Sequence, residues 1–259
     1  LGIALSALLL CNLYNQVKSQ LSTISSHTWA GHFSYTYLYL CLLLLPLNIA
    51  TESYKWKLLC ATAQPLSFLR AFSSVIAGVA FSTITPNRIG EYPGRILYLK
   101  VSNTLRLITV SILGMTAQLF TIFFFGNIGL IYYYCVNPTQ IAAIALSCSM
   151  VVLILIGWGY AYSNYWMSKL EKNRRLRRLF TYSELLKRIP VSRQLTILLL
   201  SFFRFLVYST QYLLLLYLMN IHIPVLPGLA LAALFFWAMS VIPYYTIAEL
   251  GVRGQVGIY

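Results

Sequence analysis

Glu91 and Arg95 stand four residues apart inside Thr85–Arg95, TPNRIGEYPGR, together with Arg88, two prolines and two glycines. At that spacing a carboxylate and a guanidinium share one helical face and can pair. The heptad Ile89-Gly-Glu-Tyr-Pro-Gly-Arg95 has a counterpart in Ile247-Ala-Glu-Leu-Gly-Val-Arg253, with Glu249 and Arg253 again at i and i+4. Each heptad follows a short apolar run that ends in proline, Pro86 and Pro243. Guanidinium groups bind phosphate through paired donors. The residues Pro86, Gly90, Pro93, Gly94, Pro243 and Gly251 are expected to break helices and free backbone N–H groups for an anion. Arg204, in the middle of a third apolar run, adds another charge that either snorkels or faces a cavity. The candidate substrate-binding set is therefore Arg88, Glu91, Arg95, Arg204, Glu249 and Arg253, and the ligand chemistry is a phosphate group. The plainer alternative is that each Glu–Arg pair neutralises itself and holds a hairpin together.

Other chemistry finds little support. The chain has no Asp, so a two-carboxylate acid–base pair would have to come from Glu91 and Glu249, as in a lipid-phosphate or glycosyl transferase. There is no phosphate-binding glycine loop and no GxSxG elbow. The five cysteines lie singly, and His27, His32 and His222 are scattered. No metal and no cofactor is expected.

These residues sit in a chain of 259 residues that is 59% hydrophobic and 9% charged, with a mean hydropathy of +0.73. A water-soluble domain carries about 25% charged residues, so the composition excludes that class. It points to an all-α polytopic integral membrane protein, with runs near the roughly 20 residues that span a bilayer. The net charge of +14 serves topology and contact with anionic lipid headgroups, with no nucleic acid partner implied. Room is left for a homo-oligomer or an envelope-biosynthesis partner.

Along the chain, Leu1–Leu13 reads as the end of a first span and Phe33–Thr51 as a second, kinked at Pro46. Glu52–Lys57, ESYKWK, follows as an interfacial anchor of Trp56 and two lysines. Ala71–Thr85 is apolar but has the length of a re-entrant segment. Asn103–Phe125, Ile141–Trp158 and Leu195–Met219 read as spans, and Leu229–Ile242 is a second short run. Gln118 and Gln211 are expected to serve packing or bonding between helices. Residues 169–193 hold nine of the nineteen basic residues at rough helical spacing with apolar ones. That segment is expected to lie amphipathically on the cytoplasmic surface.

Counting crossings from that basic segment makes the two short runs enter from opposite faces, the pattern of an inverted repeat with its site near the midplane. The expected architecture is about five to seven spans plus two re-entrant broken-helix elements in one domain, 1–259. Repeat one covers about 33–126 with its motif at 85–95, and repeat two about 194–259 with its motif at 243–253. Leu1 and Tyr259 are expected to be internal to a longer chain.

TPNRIGEYPGR resembles the Thr-Pro-x-x-hydrophobic-Gly-Glu signature of the lysylphosphatidylglycerol synthase transmembrane region, a flippase-like family of bacterial and archaeal membrane proteins. PYYTIAELGVRG resembles that family's C-terminal motif, and NIATESYKWKLL its early segment ending in a basic-Trp-basic cluster. The resemblance implies a multi-pass protein of the cytoplasmic (inner) membrane. Its best-known relatives move aminoacylated phosphatidylglycerol between leaflets and carry a soluble synthase domain not seen here. Asn87-Arg88 and Ala248 depart from the small residues and glycine frequent in the family. The expected function is a flippase-like transporter of a phosphate-bearing lipid, phospholipid or polyprenyl-linked. The alternative is a non-transporting accessory subunit or a membrane-embedded lipid-modifying enzyme of envelope biosynthesis.

Overall fold

The computed structural model describes residues 35–82, 90–97, 99, 104–162, 189–221 and 223–241. Those residues form seven helices and no strand: α1 (Tyr35–Cys60), α2 (Phe68–Ser82), α3 (Glu91–Leu97), α4 (Thr104–Val136), α5 (Gln140–Ala161), α6 (Val191–Leu218) and α7 (Val225–Val241). Within α1, α4, α5 and α6 lie four stretches long and apolar enough to cross a membrane. At 1.5 Å per residue, the fifteen residues of α2 reach only about 22 Å, short of the roughly 30 Å hydrocarbon core. The first span and the basic segment up to residue 188 lie outside the described residues, as does everything after Val241.

Polarity is arranged oppositely to that of a soluble bundle. Tyr39, Leu43, Ile141, Ile154, Leu199 and Leu226 are exposed, while Glu52, Lys55, Arg95, Asn48 and Gln194 are buried. Lipid solvates the former at no cost, and the latter must find partners inside.

Helix α1 packs against α2, α4 and α6, and α4 packs against α1, α3, α5, α6 and α7. Glycines set the closest approaches. A Cβ on Gly78 of α2 would lie 2.5 Å from the Glu91 carbonyl oxygen, and one on Gly94 of α3 would lie 2.6 Å from Phe81 Cβ. On α4, a Cβ on Gly129 would lie 2.6 Å from the Ala230 carbonyl oxygen of α7. Without side chains at these positions the backbones can nearly touch. Helix α5 starts at an N-cap, with Ala142 N–H donating to Thr139 Oγ1 at 3.2 Å. Helix α6 is closed by Asn220 at φ 63°, with Ile221 N–H donating to the Leu216 carbonyl at 2.9 Å, a left-handed C-terminal cap.

Two expectations from the sequence are corrected here. The segment ESYKWK does not end a span at an interface. It continues α1 for a further two turns, with Trp56 0% and Lys55 2% exposed. Pro93 and Gly94 do not break a helix. Both lie inside α3, where proline in the first turn forfeits no intrahelical bond and Gly94 N–H donates to the Gly90 carbonyl at 2.9 Å.

Candidate functional site

The cluster is organised by Glu52, in the buried half of α1. Its side chain is 2% exposed. Lys55 lies one turn further along α1, and its Nζ is 2.8 Å from Glu52 Oε2. Arg95 of α3 donates from one terminal nitrogen to Oε1 at 2.7 Å, and Arg204 of α6 donates to Oε2 at 2.7 Å. Two oxygens thus accept from three cations carried on three helices. The second terminal nitrogen of Arg95 donates to Glu91, so the i, i+4 pair expected from sequence is formed, but within a larger network.

The surroundings hold each cation in place. The Arg95 guanidinium lies 5.4 Å from the Trp56 ring centroid and 5.1 Å from that of Tyr92, within cation–π range of both. Trp56 Nε1 donates to Ser74 Oγ at 3.0 Å, and Ser74 donates to the Arg95 carbonyl at 2.8 Å. The indole therefore ties α1 to α2 and α3. Arg204 donates from Nε to Asn48 Oδ1 at 3.1 Å and from a terminal nitrogen to the Tyr208 hydroxyl at 3.2 Å. Lys55 also reaches Gln118 Oε1 of α4 at 3.4 Å. Gln211 Nε2 donates to the Cys41 carbonyl at 3.2 Å, so both glutamines bond between helices.

An aromatic wall adjoins the arginine on α6. Phe125 stacks on Phe205 at 4.7 Å, Phe236 of α7 meets Phe205 and Tyr208, and Tyr212 stacks on Phe235 at 4.9 Å. It lowers the local dielectric beside the charges and so strengthens their interaction.

Among the described residues the network contains three cations, Lys55, Arg95 and Arg204, and two carboxylates, Glu52 and Glu91. With all five ionised it carries one net positive charge inside an apolar bundle. Its accessible edges are Glu91, 18% exposed, and Arg204, 15% exposed. Such an arrangement can bind an anion and discriminate against a cation.

Of the residues singled out from sequence, Glu91, Arg95 and Arg204 come together here. Arg204 does not snorkel to an interface. Arg88, Glu249 and Arg253 lie outside the described residues, as do Pro86, Pro243 and Gly251. Sequence reasoning missed Glu52, Lys55 and Asn48. The available signal was Glu52 itself, one of five acidic residues in the chain, at i, i+3 from a lysine. No group of three or more His, Cys, Asp or Glu that could hold a metal occurs among the described residues.

A bundle of apolar helices closed around a charge cluster defines a polytopic helical membrane protein with an internal polar site. The family model of the lysylphosphatidylglycerol synthase TM region matches residues 1–256, and the chain belongs to that family. Its members are membrane domains associated with lipid modification and flippase-like function. No curated protein and no solved structure matches the chain.

Proposed function

We propose that this protein is a flippase-like transporter that moves a phosphate-bearing lipid between the leaflets of a bacterial or archaeal cytoplasmic membrane. The observation that carries the proposal is the Glu52–Lys55–Arg95–Arg204–Glu91 network, charged, buried and positive by one. Ionisable groups at membrane depth are costly unless they serve a pathway or pair within the protein. A headgroup phosphate would meet Arg204 and Arg95 while its acyl chains stay in the bilayer. Partners are then membrane lipids with anionic headgroups.

The mechanism draws on the expected repeat. Helices α2 and α3, short and joined through close glycine contacts, serve as one re-entrant element. Helix α7, seventeen residues long, begins the second, whose motif holds Glu249 and Arg253. Rocking of the two repeats would expose the headgroup alternately to each face, with residues 169–193 on the cytoplasmic side.

Proteoliposomes carrying a fluorescent phospholipid, with dithionite quenching of the outer leaflet, test the proposal. Wild type is expected to equilibrate the label between leaflets, and Arg204→Gln to do so at least about tenfold more slowly. Wild-type protein that leaves the label at the rate of protein-free liposomes ends the proposal.

A further inference from the structure

Asn48 lies one helical turn before Glu52 on α1, so both reach toward the same arginine of α6. Its Oδ1 accepts from Arg204 Nε at 3.1 Å. Because Nε can only donate, that bond fixes which way round the amide sits. Asn48 Nδ2 then points elsewhere, and it has no acceptor among the described residues although Asn48 is 4% exposed. Arg95 Nε, on a side chain 1% exposed, is in the same position. Buried donors in native proteins are almost always satisfied, and each of these two calls for the same kind of complement, an acceptor oxygen; the one beside Arg204 is Asn48 Nδ2.

Glu52 does not provide that acceptor. Its oxygens accept from Lys55, Arg95 Nη1 and Arg204, and neither Asn48 Nδ2 nor Arg95 Nε bonds to them. Charge gives the same answer as hydrogen bonding. The described network is positive by one, so the complement is an anionic oxygen. Arg204, at 15% exposure, is the cation nearest the surroundings, and the Tyr208 hydroxyl that accepts from it retains a proton to donate.

We propose that Asn48 Nδ2, Arg204 and Tyr208 form an oxyanion subsite that takes one oxygen of a phosphate group, with Glu52 as its fixed counter-ion. The phosphate lipid proposed above would supply that oxygen, and the inference rests on that assignment for its physiological ligand. The geometry itself would serve a free phosphate equally. Glu52 acts as a positioning residue: it holds Arg204 in the bundle between ligands, and its charge keeps the site from over-binding anions.

Asn48→Asp is the direct test. The substitution is nearly isosteric, and it replaces the unsatisfied donor with a carboxylate that pairs with Arg204 and cancels the net charge. Thermal unfolding of the 259-residue chain is followed in neutral detergent against inorganic phosphate, with chloride at matched ionic strength as baseline. A parallel arm titrates short-chain phosphatidylglycerol. Wild type is expected to be stabilised by one or both. A response to phosphate identifies the free anion as sufficient, and a response to the lipid alone identifies the headgroup. Asn48→Asp is expected to unfold no more easily than wild type yet to need at least about tenfold more of the active probe, as for loss of one charge-assisted bond.

Should Asn48→Asp fail to fold, Asn48→Ala removes the same donor without adding charge and is expected to show the same loss. Wild type indifferent to both probes, or a folded variant with wild-type response, overturns the subsite. The transport assignment fails separately: wild type that binds phosphate but scrambles no lipid keeps the subsite and loses the function. Scrambling by wild type together with an unchanged variant response does the reverse.

Discussion

Glu52→Gln keeps the size and shape of the side chain and removes the one charge that three cations share. Truncating one partner of a buried ion pair costs about 3–5 kcal/mol, because the other is left uncompensated. Here Lys55, Arg95 and Arg204 all depend on the same carboxylate, at 2.7 to 2.8 Å. Arg95 retains Glu91 and Arg204 retains Asn48 and Tyr208, so the three losses do not add. A lower bound of about 3 kcal/mol is a shift of at least about a hundredfold in the unfolding equilibrium. That is a large share of the roughly 5–15 kcal/mol by which a folded protein is stable. Glu91→Gln is the internal comparison. Glu91 is 18% exposed and pairs with Arg95, so solvent can replace what it supplied, and the expected cost is about 1 kcal/mol. Equilibrium unfolding in mixed micelles of graded denaturing detergent reads both variants. Combining Glu52→Gln with Arg204→Gln should destabilise less than the sum of the two, since each charge is a liability without the other. Equal costs for Glu52→Gln and Glu91→Gln, or additivity in the double variant, would refute the shared-carboxylate account.

Two further outcomes follow from packing and burial. Gly78→Ala puts a methyl group 2.5 Å from a backbone oxygen of α3 and is expected to cost about 1–3 kcal/mol, whereas Gly159→Ala meets nothing within 4 Å and should be neutral or stabilising by up to about 1 kcal/mol; the same micelle titration ranks them. In a variant with Cys60 as the sole cysteine, a membrane-permeant maleimide should react only once the protein unfolds, while a sole Cys135, on the outside of the bundle, should label in the folded state, a contrast that mass spectrometry reads directly.

Composition and run length were enough to identify the helical membrane class and to place α5 and α6 within a few residues, whereas α1 and α4 continue to Cys60 and Val136, well past the expected ends at Thr51 and Phe125. The pairing of Glu91 with Arg95 was legible because both partners lie on one turn of one helix. The centre of the site was not, and the reason is physical. Glu52 meets Arg95 across 43 positions and Arg204 across 152, and no local pattern encodes a meeting at such separations. ESYKWK also has the composition of a membrane-surface anchor, since tryptophan and lysine serve headgroup contact as well as cation–π and ion-pair burial. Pro93 and Gly94 misled for a related reason. Proline in a first turn and glycine at a close crossing both look like helix breakers until the neighbouring helix is known.

Helix α4 has thirty-three residues, which at 1.5 Å each make a rod of about 50 Å. The apolar stretch Val110–Val136 within it, twenty-seven residues, measures about 40 Å against roughly 30 Å of hydrocarbon. Upright, it would leave about 10 Å of greasy surface beyond the hydrocarbon, a mismatch that tilting the helix relieves. Five other helices rest on this rod, among them α1 and α6, which carry Glu52 and Arg204. Bilayer thickness thus becomes an input to the geometry of the charge cluster: a thinner membrane tips the rod further, and a thicker one stands it up.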